Sequence, residues 1–156
     1  MLLALAVWLL GPQKPERRPE VAIPGVDISL KAGWQLLFHD GCRVAVPLSW
    51  RADADGSFAA AADGSAISIR EVAIANWSAH KAQMRRAVGA GKVVREDSDR
   101  RLWLERASPT AVEHYIDVPV GPAICSGLLE VRRETPLEES TVRTIVESVG
   151  PTRPAW

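Results

Sequence analysis

Residues 34–47 read WQLLFHDGCRVAVP. Two apolar runs, Trp34 to Phe38 and Cys42 to Pro47, flank His39-Asp40-Gly41, and an Asp-Gly pair between such runs is a strong hairpin signal. In the second run Cys42, Val44 and Val46 alternate with Arg43 and Ala45, so the cysteine belongs to the apolar face of its strand.

The same grammar continues outward. Arg51 to Ser57 contains Asp53, Asp55 and Gly56 and reads as a turn. Phe58 to Ala62 then leads through Asp63-Gly64 into Ala66 to Val72, where Ile67 and Ile69 alternate with Ser68 and Arg70, which predicts a second hairpin. The period then changes. Trp77, Met84 and Val88 fall on one stripe of a helix capped by Asn76 or Ser78 and stopped by Gly89 and Gly91. Strands are expected again at Lys92 to Arg95, Arg101 to Arg106, Val112 to Val118 and Ile124 to Arg132, with a turn over Glu96 to Arg100. For the closing helix, Thr135-Pro136-Leu137-Glu138 reads as a capping box with proline at the first helical position. Val142, Ile145, Val146 and Val149 supply its buried stripe, and Gly150-Pro151 its stop.

The order is four strands, a helix, four strands and a helix. Links this short favour antiparallel pairing, so the fold class expected is α+β: an antiparallel β-sheet sandwich with two amphipathic helices. The single domain spans residues 33–150. Residues 151–156 form a tail ending in Trp156, which is expected to be mobile. Of the six tryptophans, Trp34, Trp50, Trp77 and Trp103 lie within elements and are expected as core anchors.

Ahead of the domain, Leu2 to Leu10 (LLALAVWLL) is an uncharged apolar run followed by Gly11-Pro12 and then Lys14, Arg17 and Arg18. That is the length and character of a signal-peptide core and is short of the roughly 20 apolar residues of a membrane-spanning helix. Residues 1–12 are therefore expected to be a signal peptide or a short apolar N-terminal segment, with a buried N-terminal helix as the alternative. Residues 13–32, with Pro15, Pro19 and Pro24 among charges, read as an extended linker. Export to the periplasm or outside the cell follows, without a membrane span.

Lysine plus arginine and aspartate plus glutamate number 19 each, so there is no net field to draw nucleic acid. The chain has two cysteines, Cys42 and Cys125. Cys125 shares its strand parity with Leu129 and Val131, so both cysteines point to the apolar side, and in an exported chain a disulfide between them is expected. Two separate buried thiols are the alternative.

The segment Val44-Ala45-Val46-Pro47-Leu48-Ser49-Trp50 has the pattern aliphatic-x-aliphatic-Pro-x-x-Trp. With the Asp-Gly hairpin after it, the helix near Trp77, the strand centred on Trp103 and the closing helix ending in Glu147-Ser148-Val149, the layout from Trp34 to Val149 resembles the PsbP-like and Mog-like sandwich families. The resemblance implies an accessory or binding protein of an envelope, thylakoid or transport system, mostly without catalysis. It implies no functional residue.

Chemistry-bearing residues are scattered. His39, His80 and His114 fall on a turn, a helix and a strand, with no HExxH, CxxC or HxH spacing. His39-Asp40 beside Cys42 would become a site only if His114 came close. On its strand His114 shares parity with Val112, Ile116 and Val118, which predicts a partly buried, hydrogen-bonded side chain. Ser126-Gly127 lacks the G-x-S-x-G setting of an activated serine, and Gly89-Ala90-Gly91-Lys92 lacks the spacing of a phosphate loop and reads as a helix stop. Asp53/Asp55 and Asp97/Asp99 read as turn residues. Arg85-Arg86, Arg100-Arg101 and Arg132-Arg133 would need to gather to make an anionic-partner patch. No catalytic, cofactor-binding or metal-ligating residue and no cofactor is assigned from the sequence. The function expected is a non-catalytic binding or accessory domain of the cell envelope whose partner is a protein or small ligand. The alternative is a hydrolase or metal-dependent enzyme whose site forms only in three dimensions.

Overall fold

The computed structural model describes residues 32–152. The expected signal segment, most of the linker and Trp156 lie outside them. Within them, two antiparallel sheets and two helices form an α+β fold. The smaller sheet pairs β1 (Trp34–His39) with β2 (Cys42–Pro47) and β2 with β10 (Gly150–Pro151). In the larger, β3 (Arg51–Ala52), β4 (Phe58–Ala60), β5 (Ala66–Ala73), β9 (Ala123–Arg132), β8 (Ala111–Val120), β7 (Leu102–Ala107) and β6 (Val93–Asp97) follow in that spatial order. Helices α1 (Trp77–Val88) and α2 (Glu139–Ser148) complete the chain.

The first hairpin closes as its sequence demands. His39 faces Cys42 across the Asp40-Gly41 turn, and Asp40 takes the left-handed φ of 51°. Glu71 Oε2 accepts a hydrogen bond from the Gly41 amide at 3.1 Å, and a Cβ at Gly41 would lie 2.5 Å from that oxygen, so a side chain there would displace the glutamate.

Register divides the larger sheet into two faces. One row, Ile69, Gly127, Ile116 and Trp103, packs with Val44 and Val46 of the small sheet and with Val142, Ile145 and Val146 of α2 in the main core. Cys42 and Cys125 meet in that core and are joined as a disulfide, 83 residues apart in sequence with Cα atoms 5.5 Å apart. The opposite row runs Arg70, Ser126, Asp117 and Leu102. There α1 packs through Trp77, Met84 and Val88 on Leu102, Leu104 and Tyr115.

Three sequence expectations are corrected. The closing helix starts at Glu139, and Thr135 does not cap it: Glu138 holds the N-cap position in extended backbone, with no side-chain cap bond. Pro136 to Glu138 are not helical, and Leu137 packs against the main core, so burial of that leucine displaces the helix start. Gly150-Pro151 does more than stop a helix. It adds an edge strand beside Arg43 and Cys42, and the Thr152 amide donates to Gly41 O at 2.9 Å. Arg51–Ala52, read as part of a turn, pairs with Ala59 and Ala60 as a short strand. Between these points Ser148 fills the ladder: its Oγ accepts from the Ala45 amide at 2.7 Å and donates to Ile145 O at 2.6 Å.

Candidate functional site

Asn76 begins α1 by accepting the Ala79 amide on its side-chain oxygen at 3.0 Å. At the other end Gly89 adopts φ 83° and Lys92 Nζ donates to its carbonyl at 3.2 Å, so Gly89-Ala90-Gly91-Lys92 is a helix stop. The helix is pinned laterally by Lys81 and Arg85, which both pair with Asp97. Its side chains cover β7 and part of β8 but leave β9 and β5 uncovered, and a cavity of 410 Å³ opens along that boundary. His80, Met84, Tyr115, Asp117, Ser126 and Arg70 are among its lining residues.

Asp117 is the unusual member. Its side chain is 3% exposed in the middle of β8, where an ionised carboxylate must be paired. His80 supplies the partner: Nε2 lies 2.8 Å from Asp117 Oδ2 and donates to it. The Trp77 indole stacks on the imidazole at 6.0 Å with 18° between planes, which holds the ring in one orientation. With Nε2 carrying the proton, Nδ1 keeps a lone pair, and it has no hydrogen-bond partner among the described residues. Tyr115 is committed elsewhere, accepting from Arg106 and donating to Glu113, and burial together with Glu113 raises its pKa. The groups left to meet a ligand are therefore the His80 nitrogen, the Ser68 and Ser126 hydroxyls, and Arg70 at the exposed side.

The fold does not unite His39 with His114. His39 Nδ1 meets Asp55 O at 3.1 Å and its Nε2 lies 3.3 Å from Asp40. His114 is buried, as its strand parity predicts, and its Nδ1 accepts from Trp103 Nε1 at 3.1 Å. Burial, with Arg95 nearby, lowers its pKa to about 4, so it is neutral at physiological pH. Cys42 and Cys125 are consumed by their bond. Asp55 accepts from the Ser57 amide and hydroxyl, as a turn aspartate does, whereas Asp97, read as a turn residue, ends β6 and is held by Lys81 and Arg85 of α1. The arginine pairs do not gather: Arg85 goes to Asp97 and Arg101 to Glu96, while Arg132 and Arg133 flank a separate 360 Å³ recess. No group of three or more His, Cys, Asp or Glu residues suited to a metal occurs among the described residues.

The pair the fold brings together, His80 with Asp117, joins residues 37 positions apart. One signal for it was present: Asp117 is an aspartate between Ile116 and Val118 in a strand pattern, where aspartate is disfavoured unless partnered. The chain matches no protein-family model and no curated protein.

Proposed function

We propose that this chain is an exported, disulfide-closed binding domain of the cell envelope that takes a small ligand, or a side chain of a protein partner, in the cleft beside α1. The observation that carries the reading is the cleft itself, where a buried and already paired carboxylate leaves a neighbouring imidazole nitrogen, two hydroxyls and an arginine free to contact a ligand. The buried Cys42–Cys125 bond supports an oxidising compartment, and the short apolar run at residues 2–10 supports delivery there. The order of hairpin, helix, strands and helix supports the sandwich layout and the PsbP-like or Mog-like resemblance, whose members serve as accessory or binding proteins.

The test is native mass spectrometry on protein taken from the envelope or culture fluid of its own host, with and without reductant. A processed chain lighter by two hydrogens than its reduced form, carrying a passenger that Ser126→Trp abolishes, is the expected result. A full-length reduced chain from the cytosol overturns the reading.

A specific observation favours a second reading. A histidine oriented by a buried carboxylate at 2.8 Å in a cleft is the arrangement of a general base. In that reading His80 Nδ1 takes a proton from substrate or water while Asp117 stabilises the imidazolium. Turnover of a substrate library that His80→Asn abolishes and Ser126→Ala retains would select it.

A further inference from the structure

Accepting the cleft as the ligand site, we propose that its occupant is a soft monovalent cation, Cu(I) or Ag(I), held in two-coordinate fashion by His80 Nδ1 and Met84 Sδ. His80 and Met84 are separated by one helical turn on α1 and line the same cavity. Residues at this spacing have Cβ atoms about 5–6 Å apart. Long helical side chains lean toward the N-terminus, the direction in which His80 lies from Met84.

Asp117 prepares the imidazole. A histidine that binds a metal through one nitrogen characteristically donates its other N–H to a carboxylate, which fixes the tautomer and raises ligand basicity. The Nε2–H bond to Asp117 at 2.8 Å is that arrangement, and it leaves the lone pair on Nδ1. The Asp117 carboxylate lies beneath the imidazole as the acidic group of the cavity lining, and Arg70, its cation, stands at the exposed side. Trp77, stacked on the imidazole, screens one side from water.

Ligand chemistry selects the class of ion. Thioether sulfur is a soft donor that favours Cu(I) over hard cations, and imidazole suits the same metal. The sequence has two methionines, of which Met84 is the one among the described residues, and both cysteines are oxidised. No thiol therefore competes for the ion there. His114 already accepts the Trp103 N–H on its Nδ1, and His39 lies between Asp40 and Asp55 with no thioether beside it. A divalent ion that requires three or four His, Cys or carboxylate ligands finds no such group among the described residues, whereas a linear d10 ion needs only two donors.

The test is titration of the full-length oxidised protein with silver nitrate in chloride-free buffer, followed by native mass spectrometry and by NMR of the methionine methyl and histidine ring signals. Silver needs no reductant, so the disulfide stays intact. The expected result is one ion per chain, with the Met84 methyl and His80 ring signals shifting together. Affinity should fall about 10-fold or more in Met84→Leu and in His80→Asn, and about 10- to 100-fold in Asp117→Asn, whose carboxylate positions the ligand. His39→Asn should bind as the parent does. Met84→Leu is decisive because it preserves volume and folding, checked by an unchanged melting temperature. Equal silver affinity in Met84→Leu, or no binding to the parent, overturns the proposal. An organic passenger in the cleft without silver binding would overturn this inference and leave the proposed binding function standing. Silver held by His80 and Met84 in a chain that never carries an organic passenger would do the opposite for an organic ligand.

Discussion

His114 carries a titration that folding has displaced. Its imidazole is sealed beneath Trp103, whose indole N–H donates to Nδ1, and burial followed by the charge of Arg95 lowers its pKa from 6.5 to about 4. Because the folded pKa lies below the unfolded one, the unfolded chain binds the extra proton first as pH falls. The resulting stability is whole above pH 6.5 and is lost progressively toward pH 4. The full displacement corresponds to about 3 kcal/mol. Denaturant midpoints measured across that window should slope downward toward acid in the parent, and the slope should flatten in His114→Gln, which retains an acceptor for the indole. Equal slopes in the two proteins would mean that other groups set the acid limit. A second residue-scale expectation concerns Asp117. Substitution by alanine leaves the buried face of His80 without its acceptor and should cost about 1–3 kcal/mol in urea unfolding.

The two helices differ in how they begin, and the difference can be measured. Asn76 makes a side-chain cap bond to α1, whereas Thr135 makes none to α2. Asn76→Ala should cost about 1 kcal/mol and Thr135→Ala no more than about 0.5 kcal/mol by thermal or denaturant unfolding. A cost for Thr135→Ala as large as that for Asn76→Ala would restore the capping box. Elements set by neighbours in sequence were legible from residues alone: the Asp40-Gly41 hairpin, the cap and stop of α1 at Asn76 and Gly89, and the parity that turns Cys42 and Cys125 to one core. Features set by distant partners were not. The two-residue β10 exists because Arg43 and Cys42 offer it an edge, and α2 starts late because Leu137 finds the core. The site belongs to the second kind. His80 is one histidine on a helix until β8 brings Asp117 beneath it, and the group that sequence proximity suggests, His39-Asp40 beside Cys42, stays a turn because the fold keeps His114 away from it.

At the scale of the whole molecule, the Cys42–Cys125 bond is a covalent cross-link between the two sheets, beyond the backbone that joins them, and closes a loop spanning 83 residues in sequence. In a chain-entropy account, a loop of that length constrains the unfolded state by about 4 kcal/mol. The Cys42→Ser, Cys125→Ser double variant should lose about 2–5 kcal/mol of stability relative to the oxidised parent, read from urea unfolding of both. A variant of undiminished stability would show that packing of Val44, Val46, Ile116 and Leu129 holds the sheets together without the bond.

The small sheet also determines how the domain bears tension. β1 and β10 flank β2 and run parallel to each other, so Trp34 and Thr152 leave the sheet at opposite ends. A pull applied between these two flanks acts along the strands and loads the hydrogen bonds of β2 in shear, all at once, instead of unzipping them one by one. β2 is anchored through Cys42 to the larger sheet, so the strand that takes the strain cannot slide away from the sheet beneath it. A load carried from one flank to the other would thus pass through three strands and bypass the cleft between α1 and the opposite face of the larger sheet.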